Sequence, residues 1–163
     1  MLRKIFTAVC VACGGECGYS DMLCADCVET LSVPKHTCLG CGHPLAVEAY
    51  HCKHCDDREN GVDFYYADYL YTGVLRKLIH KIKYEWYFRG ASQLGRLCMP
   101  DDELLDGYDA IVPVPFHFRR RFVRFRQPVS LICAALAERT ETAVLPLVER
   151  VVHTEYQSRL RRK

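Results

Sequence analysis

Four Cys-x-x-Cys pairs within residues 10–55, followed by a strand–helix–strand order, predict a small cysteine-knit metal module joined to an α/β unit. The chain has 163 residues, half of them hydrophobic, and a formal net charge of +2. That length suits one domain with a small appended module, and the composition excludes a disordered or globally basic protein. Any polyanionic partner would have to meet a local patch rather than the whole surface.

Eleven cysteines are the extreme feature. Eight of them form the four pairs, which argues for metal in a reducing compartment over a disulfide framework. The pairs make an internal repeat. Cys10-x-x-Cys13 is followed by ten residues and Cys24-x-x-Cys27, and Cys38-x-x-Cys41 by ten residues and Cys52-x-x-Cys55. Both first pairs run into a glycine, Gly14 and Gly42, which is free to turn backbone amides toward thiolate sulfurs. Tetrahedral zinc takes four soft ligands and each repeat offers four, so two structural Zn2+ in a zinc-ribbon module are expected. Spacing leaves open whether ligands are shared between the repeats. Cys17, His43, His51 and His54 lie near enough to substitute, but the cysteines already fill both sets. With few aliphatic residues between the knuckles, metal binding must supply the folding energy, about 10–16 kcal/mol for such a site.

The N-terminus starts like an export signal, with Arg3 and Lys4 before Ile5, Phe6, Ala8 and Val9, but its apolar run is short and flows into the first knuckle. No stretch approaches the ~18 apolar residues of a membrane span. A cytoplasmic protein without membrane insertion is expected.

Asp56–Gly61 reads as a charged hinge, dividing residues 1–60 from 61–163. Aromatic-rich Val62–Tyr71 predicts a strand. Thr72-Gly73 then opens an amphipathic helix, with Val74, Leu75, Leu78, Ile79 and Ile82 on one face and Arg76, Lys77, His80, Lys81 and Lys83 on the rest. A second helix spans Ala91–Met99 and stops at Pro100, with Cys98 as a core thiol. The acidic stretch Asp101–Asp109 leads to a short buried strand of Ile111, Val112 and Val114, ended by Pro113 and Pro115, which cannot donate to a ladder.

Beyond Pro115 the character reverses. Arg119, Arg120, Arg121, Arg124 and Arg126 crowd one loop, interleaved with Phe116, Phe118, Phe122 and Phe125. Guanidinium forks grip phosphate and rings stack on bases, so this loop suits a phosphate- or nucleic-acid-binding edge. Pro128 sits well as the first residue of a helix to about Arg139, with Leu131, Ile132, Ala135 and Leu136 as its buried stripe and Cys133 as a packing thiol. Val144–Val148 predicts a short strand that Pro146 pushes to a sheet edge, and Arg150–Lys163 a basic arm or hairpin.

Three stretches carry a family resemblance. Asp109–Pro115 with His117, Arg119, Arg120 and Arg124 is one; Tyr71-Thr-Gly-Val-Leu-Arg through Tyr84 is the second; Arg150, His153-Thr154, Gln157, Leu160 and Arg161 make the third. With the cysteine array they resemble the ComF family of competence-associated, phosphoribosyltransferase-like proteins over most of the chain. The family's Arg-Gly-Phe-Asn-Gln-like stretch is replaced here by Arg124-Phe125-Arg126-Gln127, without its glycine. The resemblance implies a double zinc ribbon followed by a type I phosphoribosyltransferase-like fold. That fold is expected to be incomplete. The acidic pair and Thr-Thr-Gly loop that hold phosphoribosyl pyrophosphate in such cores have no counterpart, since neither Asp56-Asp57 nor Asp101-Asp102 stands between an apolar strand and a small-residue loop. The chain reads as an N-terminal portion of the family pattern that should not transfer phosphoribosyl groups by itself.

Three functions are weighed. The resemblance implies an accessory protein that handles single-stranded DNA in natural transformation. His117, Arg119, Arg120, Arg121, Arg124, Arg126, Lys77 and Lys81 would then contact phosphates and bases. A longer form could instead be a phosphoribosyltransferase, with His117 and the arginines on the leaving pyrophosphate and Mg2+ on the substrate's phosphates. A zinc-ribbon module that docks another protein, such as a helicase-like component of an uptake machine, is the third.

Overall fold

A computed structural model describes residues 8–47, 49–55, 62–63, 65–85, 87–98, 108–117 and 127–154. The cysteine repeat folds as a repeat. Strand β1 (Ala8–Val9) pairs antiparallel with β2 (Glu16–Cys17), Ala8 opposite Cys17. After the short helix α1 (Ala25–Glu29), β3 (His36–Thr37) pairs antiparallel with β4 (Pro44–Leu45), His36 opposite Leu45. Each hairpin bends around a Cys-x-x-Cys turn closed by the same two bonds. Cys10 N donates to Gly15 O at 2.7 Å and Gly14 N to Cys10 O at 2.9 Å; Cys38 N donates to His43 O at 2.8 Å and Gly42 N to Cys38 O at 2.7 Å. The turn requires a left-handed residue, and Gly14 (φ 78°) and Gly42 (φ 71°) supply it.

Helices α2 (Gly73–Tyr84) and α3 (Phe88–Leu97) follow, then β5 (Ala110–Ile111), α4 (Pro128–Thr140) and β6 (Ala143–Val144). Strands β5 and β6 are parallel, Ala110 beside Ala143, so α4 lies on the crossover between them. This strand–helix–strand unit is the α/β region. Pro128 stands in the first turn of α4, where its missing N–H costs no helical bond, and Glu141 ends the helix with a left-handed φ of 53°.

Helix α3 is the centre of the packing because its residues are small. A Cβ on Gly90 would lie 2.8 Å from Leu78 Cδ1 of α2, and one on Gly95 only 2.3 Å from Ile132 O of α4. Burial joins the two halves of the chain. Cys10, Met22, Leu23 and Cys27 share one apolar cluster with Leu78, Ile82 and Ala91. On α2, Leu75, Leu78 and Ile82 are buried, as the amphipathic pattern predicts.

Several expected elements differ. The described residues of Val62–Tyr71 form no strand, because their amides pair outward: Tyr65 N donates to Leu39 O and Leu70 N to Ser32 O, each at 2.7 Å. Helix α3 begins at Phe88 rather than Ala91. Strand β5 is only Ala110–Ile111, and Val112 and Val114 are exposed rather than buried, since Pro113 and Pro115 end the ladder before them. Strand β6 covers Ala143–Val144; Leu145 N still reaches Ile111 O at 3.0 Å, after which Pro146 has no donor. In α4 the buried residues are Pro128, Cys133 and Ala135, while Leu131, Ile132 and Leu136 are half-buried. The hinge at 56–61, Met99 and Pro100 at the expected helix end, residues 101–107 of the acidic stretch, the arginine-rich segment 118–126 and the terminal residues 155–163 lie outside the described residues.

Candidate metal centres

Among the described residues, the side chains gathered at metal-ligand spacing are two cysteine quartets. One is Cys10, Cys13, Cys24 and Cys27; the other is Cys38, Cys41, Cys52 and Cys55, and within each the sulfurs all lie within 4.8 Å of one another. The question of sharing is thereby answered: each repeat builds its own quartet. In the first, Cys10 and Cys13 sit on the β1–β2 turn, Cys24 directly precedes α1 and Cys27 lies within it. In the second, Cys38 and Cys41 sit on the β3–β4 turn and face a tight turn in which Cys55 N donates to Cys52 O at 2.9 Å.

Sulfur separations fit a tetrahedral metal site. Cys13 and Cys24 are 3.7 Å apart, Cys38 and Cys55 3.4 Å, and Cys41 and Cys52 3.7 Å. A tetrahedron with metal–sulfur bonds of about 2.3 Å has edges of roughly 3.8 Å. A disulfide needs ~2.05 Å, and all these cysteines are free. Backbone amides point at the sulfurs: Gly15 N at Cys13 Sγ (3.3 Å), Cys52 N at Cys55 Sγ (3.3 Å) and His54 N at Cys52 Sγ (3.4 Å). Such donors favour thiolate, the ligating form.

The thiols compete for one negative charge. Burial pushes Cys10 up, but the Cys13, Cys24 and Ala12 amides and the Cys13 thiol bring it down to about 6. For Cys38, burial is likewise outweighed by the Cys55 and Cys41 thiols and the Gly40 amide, and the value falls to about 7. The neighbours then resist ionising. Cys41 rises to about 12, the pull of the His43 amide being overcome by burial and the surrounding thiols, and Cys27 is pushed up by burial and its three partners. A bound cation removes the conflict by stabilising all four thiolates at once.

Each quartet offers four protein ligands and no open position, the arrangement of a structural rather than a catalytic centre. The suggested substitutes stand aside. Cys17 Sγ donates to Asp21 O at 3.6 Å, and the His43 and His54 rings face each other at a tilt of 40° with centroids 4.0 Å apart.

The residues expected to meet phosphates are scattered or undescribed. His117 is buried, 4 % exposed, with its ring edge-on to His153 at 5.0 Å. Lys77 and Lys81 stand one turn apart on α2; Lys77 Nζ donates to Ala12 O at 3.3 Å, and Lys81 pairs with Glu85 at 2.6 Å. Arg119, Arg120, Arg121, Arg124 and Arg126 lie outside the described residues. Sequence reasoning missed Gln93, a buried polar side chain on α3 whose only advance signal is its place among Gly90, Ala91 and Gly95. No described helix is long and apolar enough to cross a membrane.

Comparison with family models, curated proteins and solved structures finds no match to this chain.

Proposed function

We propose that both quartets hold structural Zn2+ as a double zinc ribbon, and that the ribbon supports an α/β region which handles single-stranded DNA as a ComF-like accessory protein. The observation that carries the zinc reading is the pair of four-cysteine quartets whose sulfurs all lie within 4.8 Å of one another, the nearest pairs 3.4–3.7 Å apart. All-thiolate tetrahedral coordination selects zinc over the hard cations, and no ligand position is left for chemistry. The DNA reading draws on the arginines interleaved with phenylalanines in residues 118–126, on the exposed cations Arg76, Lys77 and Lys83 of α2, and on the resemblance quoted above.

Metal analysis of the purified chain tests the first part, and two Zn2+ per chain are expected. Titration of a fluorescent oligonucleotide across a salt series tests the second. Affinity should fall by ~0.7 log units per phosphate contact per log unit of salt, and replacing Arg119, Arg120 and Arg121 by alanine should flatten that slope. Salt-independent binding, or binding indifferent to those arginines, removes the DNA reading and leaves the metal centres standing.

One observation favours a second reading. Residues 112–117 continue from the carboxyl end of β5 in a parallel strand–helix–strand unit, the end at which such sheets take phosphorylated ligands, and the arginines come next in the sequence. Saturable binding of phosphoribosyl pyrophosphate with Mg2+, and none of single-stranded DNA, would turn the assignment toward that substrate.

A further inference from the structure

The two cysteine repeats match in backbone but not in surroundings. Met22 and Leu23, which lead into Cys24, are 2 % and 1 % exposed. At the same positions of the second repeat stand Tyr50 and His51, both exposed, Tyr50 by 73 %. The difference originates in α3. Gln93 Oε1 accepts hydrogen bonds from Met22 N (2.8 Å) and Leu23 N (2.9 Å), while its Nε2 donates to Leu23 O at 2.9 Å. Val11 N, between the two cysteines of the first turn, donates to Met22 O at 2.8 Å. One buried amide therefore fixes the backbone that delivers Cys24, and that backbone holds the turn that carries Cys10 and Cys13.

We propose that Gln93 is a positioning residue for the first metal centre, and that through it occupancy of that centre and packing of α2 on α3 form one linked equilibrium from which the second centre stands apart. This rests on the reading of both quartets as zinc centres. Cys10 and Cys27 already share buried surface with Leu78, Ile82 and Ala91, so a cation that orders these ligands also orders the helical face beneath them. Linkage works in both directions, and helices that hold the Cys24 backbone in place raise metal affinity. The second centre meets the later chain through Tyr65, whose amide donates to Leu39 O at 2.7 Å. Glutamine suits the task because one planar group offers both the acceptor and the donor that two N–H groups and a carbonyl require.

The test uses the full chain loaded with Zn2+. Metal release to a chromophoric chelator is followed in time, with mass-spectrometric thiol labelling to show which quartet empties. Gln93→Leu should speed release from the first quartet about tenfold or more and leave the second unchanged. Gln93→Glu, which keeps the acceptors but sets a carboxylate oxygen against Leu23 O, should fall between. Hydrogen exchange supplies the converse: Cys24→Ser should strip protection from Gly73–Leu97, and Cys52→Ser should not. Should Gln93→Leu fail to fold, Gln93→Glu and the two cysteine variants decide. Equal acceleration at both quartets, none at either, or helices indifferent to which quartet is vacated overturns this proposal while two bound Zn2+ leave the metal reading intact. A chain that takes up no Zn2+ overturns both.

Discussion

Gly95 of α3 lies so close to Ile132 of α4 that a Cβ would come 2.3 Å from the Ile132 carbonyl oxygen and 2.9 Å from Ala135 Cβ. The obstacle is backbone on a neighbouring helix, which cannot swing aside as a side-chain tip can. Gly95→Ala should therefore destabilise the chain by about 1–3 kcal/mol. Gly90→Ala meets mainly Leu78 Cδ1 at 2.8 Å, a flexible end, and should cost less. Thermal denaturation of the two variants side by side checks the order, and a reversed order would contradict this account of the interface.

The knuckle glycines make a different prediction. Nothing lies within 4 Å of a Cβ built on Gly14, so only its φ of 78° opposes substitution, whereas at Gly42 (φ 71°) Tyr65 Cβ is also 3.3 Å away. Gly14→Ala should weaken the first centre by about 1–2 kcal/mol through backbone strain alone. Gly42→Ala should weaken the second by somewhat more. Competition with a zinc-binding dye, read for each variant, measures both.

Removal of metal should unfold the cysteine module, since ligation contributes about 10–16 kcal/mol at such centres. Circular dichroism and thiol titration during chelation should show loss of structure together with exposure of the quartet thiols. Because protons compete with the metal for thiolate sulfur, lowering the pH should release the metal and raising it again should restore it.

Arg96 and Asp21 form a bridge of 2.6 Å between α3 and the first cysteine module, but both side chains are partly exposed. Solvent screens such a pair, so Arg96→Ala should cost less than ~1 kcal/mol. Gln93→Leu, which strands two buried N–H groups and a carbonyl, should cost several times more in the same denaturation assay.

Cys98 lies where burial, with Asp68 adding to it, pushes its thiol up to about 11. Alkylation of Cys98 in the metal-loaded protein should be slow at neutral pH and accelerate as pH rises toward that value, because only the thiolate attacks. Fast modification at pH 7 would contradict the placement.

Much of this arrangement is legible in the sequence because it rests on local rules. Four thiols per repeat, a glycine after each first pair, the stripe Leu75, Leu78 and Ile82, and Pro128 at a helix start each follow from spacing or stereochemistry within a few residues. The rest depends on partners far along the chain. Val62–Tyr71 has the composition of a strand, yet its amides find Leu39 and Ser32 instead of a ladder. Val112 and Val114 look like core residues, but Pro113 and Pro115 cannot donate to a ladder, and both valines are exposed. Gln93 meets a backbone about seventy residues away, and no local pattern announces that meeting.

His117 and Pro128, both buried, flank the arginine-rich segment. A single peptide-bond cut between them would not release either fragment, because the β5–β6 ladder and the fit of α4 against α3 hold the pieces together. The nicked protein would migrate as one species under native conditions and as two only after denaturation.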